Sequence, residues 1–293
     1  MTLKRILAAT DLSAPARHAA ARAAGLAAQT GAELELLHVL PAGTLDELRR
    51  LFGGESADLG ERVIEQARAA LHQLAAEVGE PNGVTPAAHL TEGTVPGSIA
   101  ERTDAIDASL LVVGAHGASH VRHWLLGATA MRLLRKVRRP LLAVRQVPRG
   151  PYRSVLVPVD FSACAMAAVR VAGTLAPDAR LTLLHVFQVP FESNLRLAGV
   201  EEERIQAHRA AARVDAEVLL RAFTEEAGGA GRWRQVVVHG DAAPRILEQE
   251  EEQDADLIVM GKHGAGMTEE LLLGSVTKHV LAEARCDVLV VPG

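Results

Sequence analysis

The 293-residue chain is predicted to fold as two successive α/β domains, residues 1–148 and 149–293, each an open parallel sheet with helices packed on it. Three observations carry this. Short apolar runs alternate with helical patterns in the order β-α-β-α-β-α-β-α-β, which calls for parallel strands joined by right-handed crossovers. The pattern then starts again: KRILAATDLS returns as RSVLVPVDFS, LELLHV as LTLLHV, DASLLVVGAHGAS as DADLIVMGKHGAG, and RPLLAV as CDVLVV. From His38 and His185 onward an offset of 147 residues holds through Gly93/Gly240, Gly114/Gly261 and Gly127/Gly274, the mark of a tandem duplication. Finally, aromatic residues are 3% of the chain against 48% hydrophobic overall, so the cores must be built from Ala, Val, Leu and Ile. That suits parallel strands under Ala-rich helices.

In the first half, Leu3–Ala9 reads as a strand stopping at Thr10-Asp11. Ser13 is placed to cap an Ala-rich helix over 14–30, which Gly31 closes. Glu33–Val39 is the second strand. A helical pattern runs from Thr44 to Gly79, interrupted by Gly53-Gly54. Val84–Leu90 is a weaker third strand whose Pro86 suggests an edge or a bulge. A short helix over 95–106 leads to the fourth strand, Ser109–Val113, ending at Gly114. A polar loop, AHGASHVRH, is followed by a helix from Gly127 to Arg138 and a fifth strand over Pro140–Val147. Residues 148–152 (PRGPY) form a turn-rich linker, and the second half repeats the series.

Charge and cysteine content exclude several function classes. Residues 1–148 carry 16 basic and 15 acidic side chains and residues 149–293 carry 15 and 21, so the halves are +1 and −6. Neither has the positive excess of a nucleic-acid binder, and there are too few aromatics for base-stacking platforms. Cys164 and Cys286 give neither a disulfide framework nor a CxxC pair, as expected in a reducing cytoplasm. The opening MTLKRILAATD is too short in its apolar run for a signal or membrane span, and no eighteen-residue apolar stretch occurs.

The stretch with most chemistry is LIVMGKHGAGMTEELLLGSVT, from Leu257 to Thr277. A buried parallel strand ends at Gly261, Gly264 follows, and Gly274-Ser275 open a new helix. Glycines at a strand's carboxyl end let backbone approach an anion, and a helix N-terminus adds free N–H groups and the positive end of its dipole. The Ser275 hydroxyl could cap that helix or donate to a phosphate. The turn is not a Walker A loop, since no Gly-Lys-Ser/Thr follows, and GxGxxG is absent. What remains is G-x2-G-x9-G-S. Asp160, at the carboxyl end of the first strand of its half, would face the same crevice, where an acid could hold ribose hydroxyls or a phosphate-bound metal.

With PVDFS, LLHV, the Gly240 turn and GKHG-x9-GSVT in view, the chain resembles the universal stress protein family in its nucleotide-binding form, twice over and along essentially its whole length. The resemblance implies two tandem Rossmann-like (adenine nucleotide alpha hydrolase-like) domains, each an open five-stranded parallel sheet in the order 3-2-1-4-5 with helices on both faces. It implies ATP or AMP bound at the carboxyl edge, with Mg as a possible companion. Carried over by position, Pro158, Val159 and Asp160 would line the adenosine side. The Val186 backbone would read the adenine edge beside Met260. Gly261, His263, Gly264, Gly274, Ser275, Val276 and Thr277 would surround the phosphates. The first half keeps Ala9, Thr10, Asp11, Val39, Val113, Gly114, Gly117, Gly127 and Thr129 at matching places, but Ala128 replaces the serine. Losing that hydroxyl removes about 1 kcal/mol or somewhat more of phosphate affinity, up to about tenfold in binding, so this site is expected to be the weaker.

Other features have plainer readings. His116, His120 and His123 share one loop, yet no carboxylate or cysteine lies beside them to complete a metal site. His38 and His185, in apolar strands, read as hydrogen-bonded structural residues. Arg132, Arg135, Lys136, Arg138 and Arg139 complement the negative end of their helix. Glu248 to Glu252 with Asp254 reads as a solvated face, although it opposes its helix dipole. Cys164 falls where a helix N-terminus favours thiolate, against the simpler reading of a small buried residue. The fifth strand of each half is an apolar edge, and pairing through it would remove an aggregation hazard. A cytoplasmic homodimer, through those strands or other domain contacts, is the expected assembly, with no membrane partner. Three functions stay open: a regulatory nucleotide binder with little or no turnover, a slow ATP hydrolase or adenylating enzyme using Asp160 and His263, and a nucleotide-free scaffold.

Overall fold

A computed structural model describes residues 3–43, 56–115, 127–228, 231–264 and 273–293. The chain divides into two compact units, Thr2–Pro151 and Tyr152–Gly293.

In the first unit the strands are β1 (Arg5–Ala9), β2 (Glu33–Pro41), β3 (Ala87–Gly93), β4 (Leu110–Gly114) and β5 (Leu141–Val144). They run in the order β3-β2-β1-β4-β5 and every described pairing is parallel. The helices are α1 (Ala14–Thr30), α2 (Ser56–Gly79), α3 (Val95–Ala105) and α4 (Ala128–Lys136). Leaving β1 in one direction and β3 in the other, right-handed crossovers send the helices to opposite faces. Accordingly α1 packs with α2, and α3 packs with α4.

α1 buries Ala16, Ala19, Ala20, Ala23, Ala24 and Ala27, a helical-period stripe whose small side chains let it lie close on the sheet. It stops at Gly31, at φ +69°, where a left-handed residue is needed. Ser13 precedes α1 as anticipated but makes no side-chain cap; its hydroxyl goes to Asp11 instead. β3 begins three residues later than the pattern suggested. The Val84 N–H is taken by the Gly79 carbonyl at 3.2 Å, so the chain joins the ladder only where Ala87 meets Glu35. Pro86, just before it, is compatible with β3 pairing on one side only, with β2. The helical pattern of residues 44–55 lies outside the described residues.

The second unit repeats the order as β8-β7-β6-β9-β10, from β6 (Ser154–Pro158), β7 (Arg180–Phe187), β8 (Trp233–His239), β9 (Leu257–Gly261) and β10 (Asp287–Val291). Its helices are α5 (Ala163–Leu175), α6 (Glu192–Leu197), α7 (Glu202–Glu226), α8 (Ala242–Glu252) and α9 (Ser275–Glu283). Here the serine does cap: Ser162 Oγ accepts from Ala165 N at 3.2 Å. No described helix is long and apolar enough to cross a membrane.

The acidic run at the end of α8 is a solvated face except at Glu250, since Glu248, Glu251, Glu252 and Asp254 are exposed. Glu250 is buried and its Oε1 accepts from the backbone N–H groups of Arg285 and Cys286 at 2.8 and 2.7 Å. Glu248 pairs with Arg245 and Glu251 with Arg285. These donors offset part of the adverse helix dipole.

Candidate functional site

In the second unit a crevice opens where the sheet order reverses between β6 and β9. Their pairing covers only Val155↔Leu257 and Leu156↔Ile258, whereas the equivalent strands β1 and β4 stay paired up to Ala9↔Val113. The cause is Pro158, which stands where the first unit has Ala9. The next N–H, that of Val159, donates to Leu184 O on β7, so the Pro158 nitrogen faces β9 and has no proton to give. The hydrogen-bonded ladder stops there, at the topological switch point where ligands of such sheets bind.

The crevice is a cleft of about 350 Å³ lined by Pro158, Val159, Asp160, Ala165, Leu184, Val186, Ala242, Ile246, Met260, Gly261, His263, Gly264, Gly274, Ser275, Val276 and Thr277. All twelve positions anticipated for this half are among them. Ala165, Leu184, Ala242 and Ile246 were missed. The repeat carried the signal, because Ala16, Leu37, Val95 and Ile99 line the corresponding cleft of the first unit.

The glycine turn is built tightly. A Cβ on Gly261 would stand 2.8 Å from Cys164 Cβ on α5, and one on Gly264 would run into the Asp160 carboxylate. Lys262 N donates to Val291 O at 2.8 Å and Gly274 N donates to Lys262 O at 3.0 Å, which closes the base of the loop. Lys278 N to Gly274 O is the first helical bond of α9, leaving the N–H groups of Ser275, Val276 and Thr277 without helical acceptors at the cleft.

Two side chains behave differently from expectation. Gly274, not Ser275, is the N-cap of α9, so the exposed Ser275 hydroxyl does not cap. Thr277 lines the cleft, but its hydroxyl donates to Gly261 O at 3.0 Å and is not available to donate to a phosphate.

Asp160 is exposed beside the glycine turn, its Oδ1 accepting from Ser162 N at 3.1 Å and Ser162 Oγ at 2.6 Å. Phe161 follows at φ +63° and Leu12 sits at +64° at the same place in the first unit. A bulky non-glycine residue in this region is unusual and marks a turn held in place by its surroundings. His185 and His38 are hydrogen-bonded, as expected, to the carbonyls of Val159 and Thr10 at 2.9 and 2.8 Å.

Cys164 is buried, with Sγ 3.5 Å from His263 Nδ1. Burial pushes its thiol up and the nearby Asp160 adds to this, against the lowering by the His263 backbone and Lys262. A thiolate at this helix start is therefore disfavoured, and the reading of Cys164 as a small buried residue holds. Among the described residues no three His, Cys, Asp or Glu side chains converge as a metal site, and His116, His120 and His123 lie outside those residues.

The first unit holds a cleft of about 370 Å³ lined by Ala9, Thr10, Asp11, Val39, Val113, Gly114, Gly127 and Thr129, together with His38, Pro41, Ala128 and Ala130. Gly117 lies outside the described residues. The base of its loop is closed by the same bonds, Ala115 N to Val144 O and Gly127 N to Ala115 O, at 2.8 and 2.7 Å.

Each half is thus a five-stranded doubly wound α/β unit whose crevice is walled by glycines and a helix start. The profile described as "Universal stress protein family" matches residues 2–145 and again 151–292, and the chain belongs to that family. A universal stress protein of Mycolicibacterium smegmatis is 29% identical over 298 residues, spanning 98% of this chain and 96% of its own. A Thermus aquaticus universal stress protein, from the QAH/OAS sulfhydrylase 3′ region, is 35% identical over 142 residues, 48% of this chain and 98% of its own. In fold, the crystal structure of a universal stress protein from Archaeoglobus fulgidus superposes with a TM-score of 0.71 at 21% identity, covering 100% of this chain and 99% of that one.

Proposed function

We propose that the second half binds an adenine nucleotide, ATP or AMP, and that occupancy is a regulatory signal in stress tolerance. The observation that carries this is the convergence of all twelve anticipated residues on one cleft that holds both Asp160 and three helix N–H groups without helical acceptors. Its volume, about 350 Å³, falls within the range of small-molecule sites, about 300–1,000 Å³. Asp160 is the only carboxylate lining it among the described residues, a set that fits Mg held chiefly by the phosphates. The same reading takes 1–148 and 149–293 as the domains, the first a weaker nucleotide site, in a cytoplasmic homodimer.

Binding is favoured over turnover by the state of the polar side chains. Asp160 Oδ1 is engaged by Ser162, and His263 faces a buried thiol, so neither is set up as a general base. Calorimetry with ATP, ADP and AMP on the wild type and on Gly261→Ala and Ser275→Ala tests the reading. Heat lost in the variants is expected; no heat from the wild type at millimolar nucleotide would sink it. Phosphate release with magnesium that disappears in Asp160→Ala would favour the hydrolase instead.

A further inference from the structure

We propose that His185 is a positioning residue for the second cleft, setting ligand affinity through its hold on both neighbours of Asp160. This rests on the nucleotide reading of that cleft. His185 does not line the cleft, so it acts without touching the ligand.

The chain leaves the ladder of β6 and β7 at Val159, whose N–H makes the last backbone bond, to Leu184 O at 2.8 Å. The Val159 carbonyl then meets His185 Nδ1 at 2.9 Å. A carbonyl only accepts, so the imidazole carries its proton on Nδ1. On the far side of Asp160 the Phe161 ring lies on the same imidazole, centroids 4.3 Å apart and planes at 33°. Phe223 of α7 closes on Phe161 edge-on at 5.6 Å. One side chain therefore fixes the peptide before Asp160 by a hydrogen bond and the residue after it by stacking.

The duplicate shows half of the device. His38 Nδ1 holds Thr10 O at 2.8 Å, but Leu12 stands in place of Phe161 and His38 itself lines the first cleft. The aromatic grip belongs to the half whose turn keeps its serine.

Calorimetric titration of ATP into His185→Phe and His185→Asn tests the proposal, with melting temperature followed alongside. Phenylalanine keeps a ring for Phe161 and lacks the donor; the asparagine amide nitrogen takes roughly the place of Nδ1. His185→Phe is expected to bind about tenfold more weakly, the scale of one lost hydrogen bond, with His185→Asn, which returns the donor but not the ring, recovering part of the affinity. Wild-type affinity in His185→Phe would overturn the positioning role while leaving the nucleotide reading intact. No binding by the wild type would overturn both. Long-range ¹H–¹⁵N correlation on the wild type gives a check that needs no variant: the Nδ1–H tautomer is expected, and Nε2–H would overturn the proposal.

Discussion

The Thr277 hydroxyl on the first turn of α9 donates to the Gly261 carbonyl at the end of β9, 3.0 Å away, and so ties the helix start to the glycine turn. Thr277 is 3% exposed. The first unit has Ala130 at this place, equally buried and unable to make the bond. Thr277→Val keeps the shape and removes the donor, leaving a carbonyl poorly satisfied beside the cleft. A loss of about 1–3 kcal/mol of stability is expected in urea unfolding, with weaker ATP binding in calorimetry.

Gly261→Ala should act through packing. The added Cβ would meet Cys164 Cβ at 2.8 Å, Cys164 C at 3.1 Å and Ala165 N at 3.3 Å, all on the first turn of α5. Backbone cannot swing aside as a flexible side chain can. The cost expected is about 1–3 kcal/mol, with the strand end and α5 forced apart where the cleft is walled. Urea unfolding measures the first effect and ATP titration the second.

Much of this architecture was legible in the sequence because hydrophobic period and repeat spacing agree. Strand order and the anticipated lining of the second cleft followed from the resemblance, and the first cleft followed because glycines and strand ends recur in both copies. What was not legible depends on side-chain partners far along the chain. Ser13 and Ser162 occupy equivalent places, yet only Ser162 caps its helix. Glu250 looked like one of a run of surface acids until the turn before β10 supplied the Arg285 and Cys286 N–H groups, 35 and 36 residues away. The acceptor of the Thr277 hydroxyl was not legible either, because local sequence cannot say which carbonyl it meets first.

Thiol reactivity follows from burial. Cys164 and Cys286 are 4% and 1% exposed, and both thiols are pushed up, Cys286 further by Glu250, Asp287 and Asp256. Neither should react appreciably with a disulfide reagent at pH 8 in the folded protein, and both should react on denaturation. Rapid labelling of one thiol in the native state would contradict this.

Acid should weaken the second half through Glu192. Arg209 grips its carboxylate, Arg196 lies 3.3 Å away and His239 Nε2 3.0 Å, and together they lower it from 4.5 to about 2. A carboxylate depressed in the folded state contributes stability fully above its unfolded value. That contribution is lost as pH falls from about 4.5 towards about 2, where the folded form also takes up the proton. Glu192→Gln should therefore narrow the difference between urea midpoints measured at pH 6 and pH 3. An unchanged difference would mean that other groups govern acid sensitivity.

The duplication also provides a gain-of-function experiment. In both halves the loop base is closed by the same pair of backbone bonds, and α4, like α9, begins with N–H groups lacking helical acceptors. Ala128 and Ser275 both follow the last glycine and both are exposed in the lining of their clefts. If the missing hydroxyl is what separates the sites, Ala128→Ser should strengthen nucleotide binding in the first half by about tenfold, the worth of one hydrogen bond to a phosphate. The substitution adds one oxygen at an exposed helix start, so stability should hardly move. Titrating ATP into Ala128→Ser combined with Ser275→Ala isolates the first cleft from the second. An affinity equal to that of Ser275→Ala alone would show that the halves differ for another reason, such as His38 entering the first cleft where His185 stays outside the second.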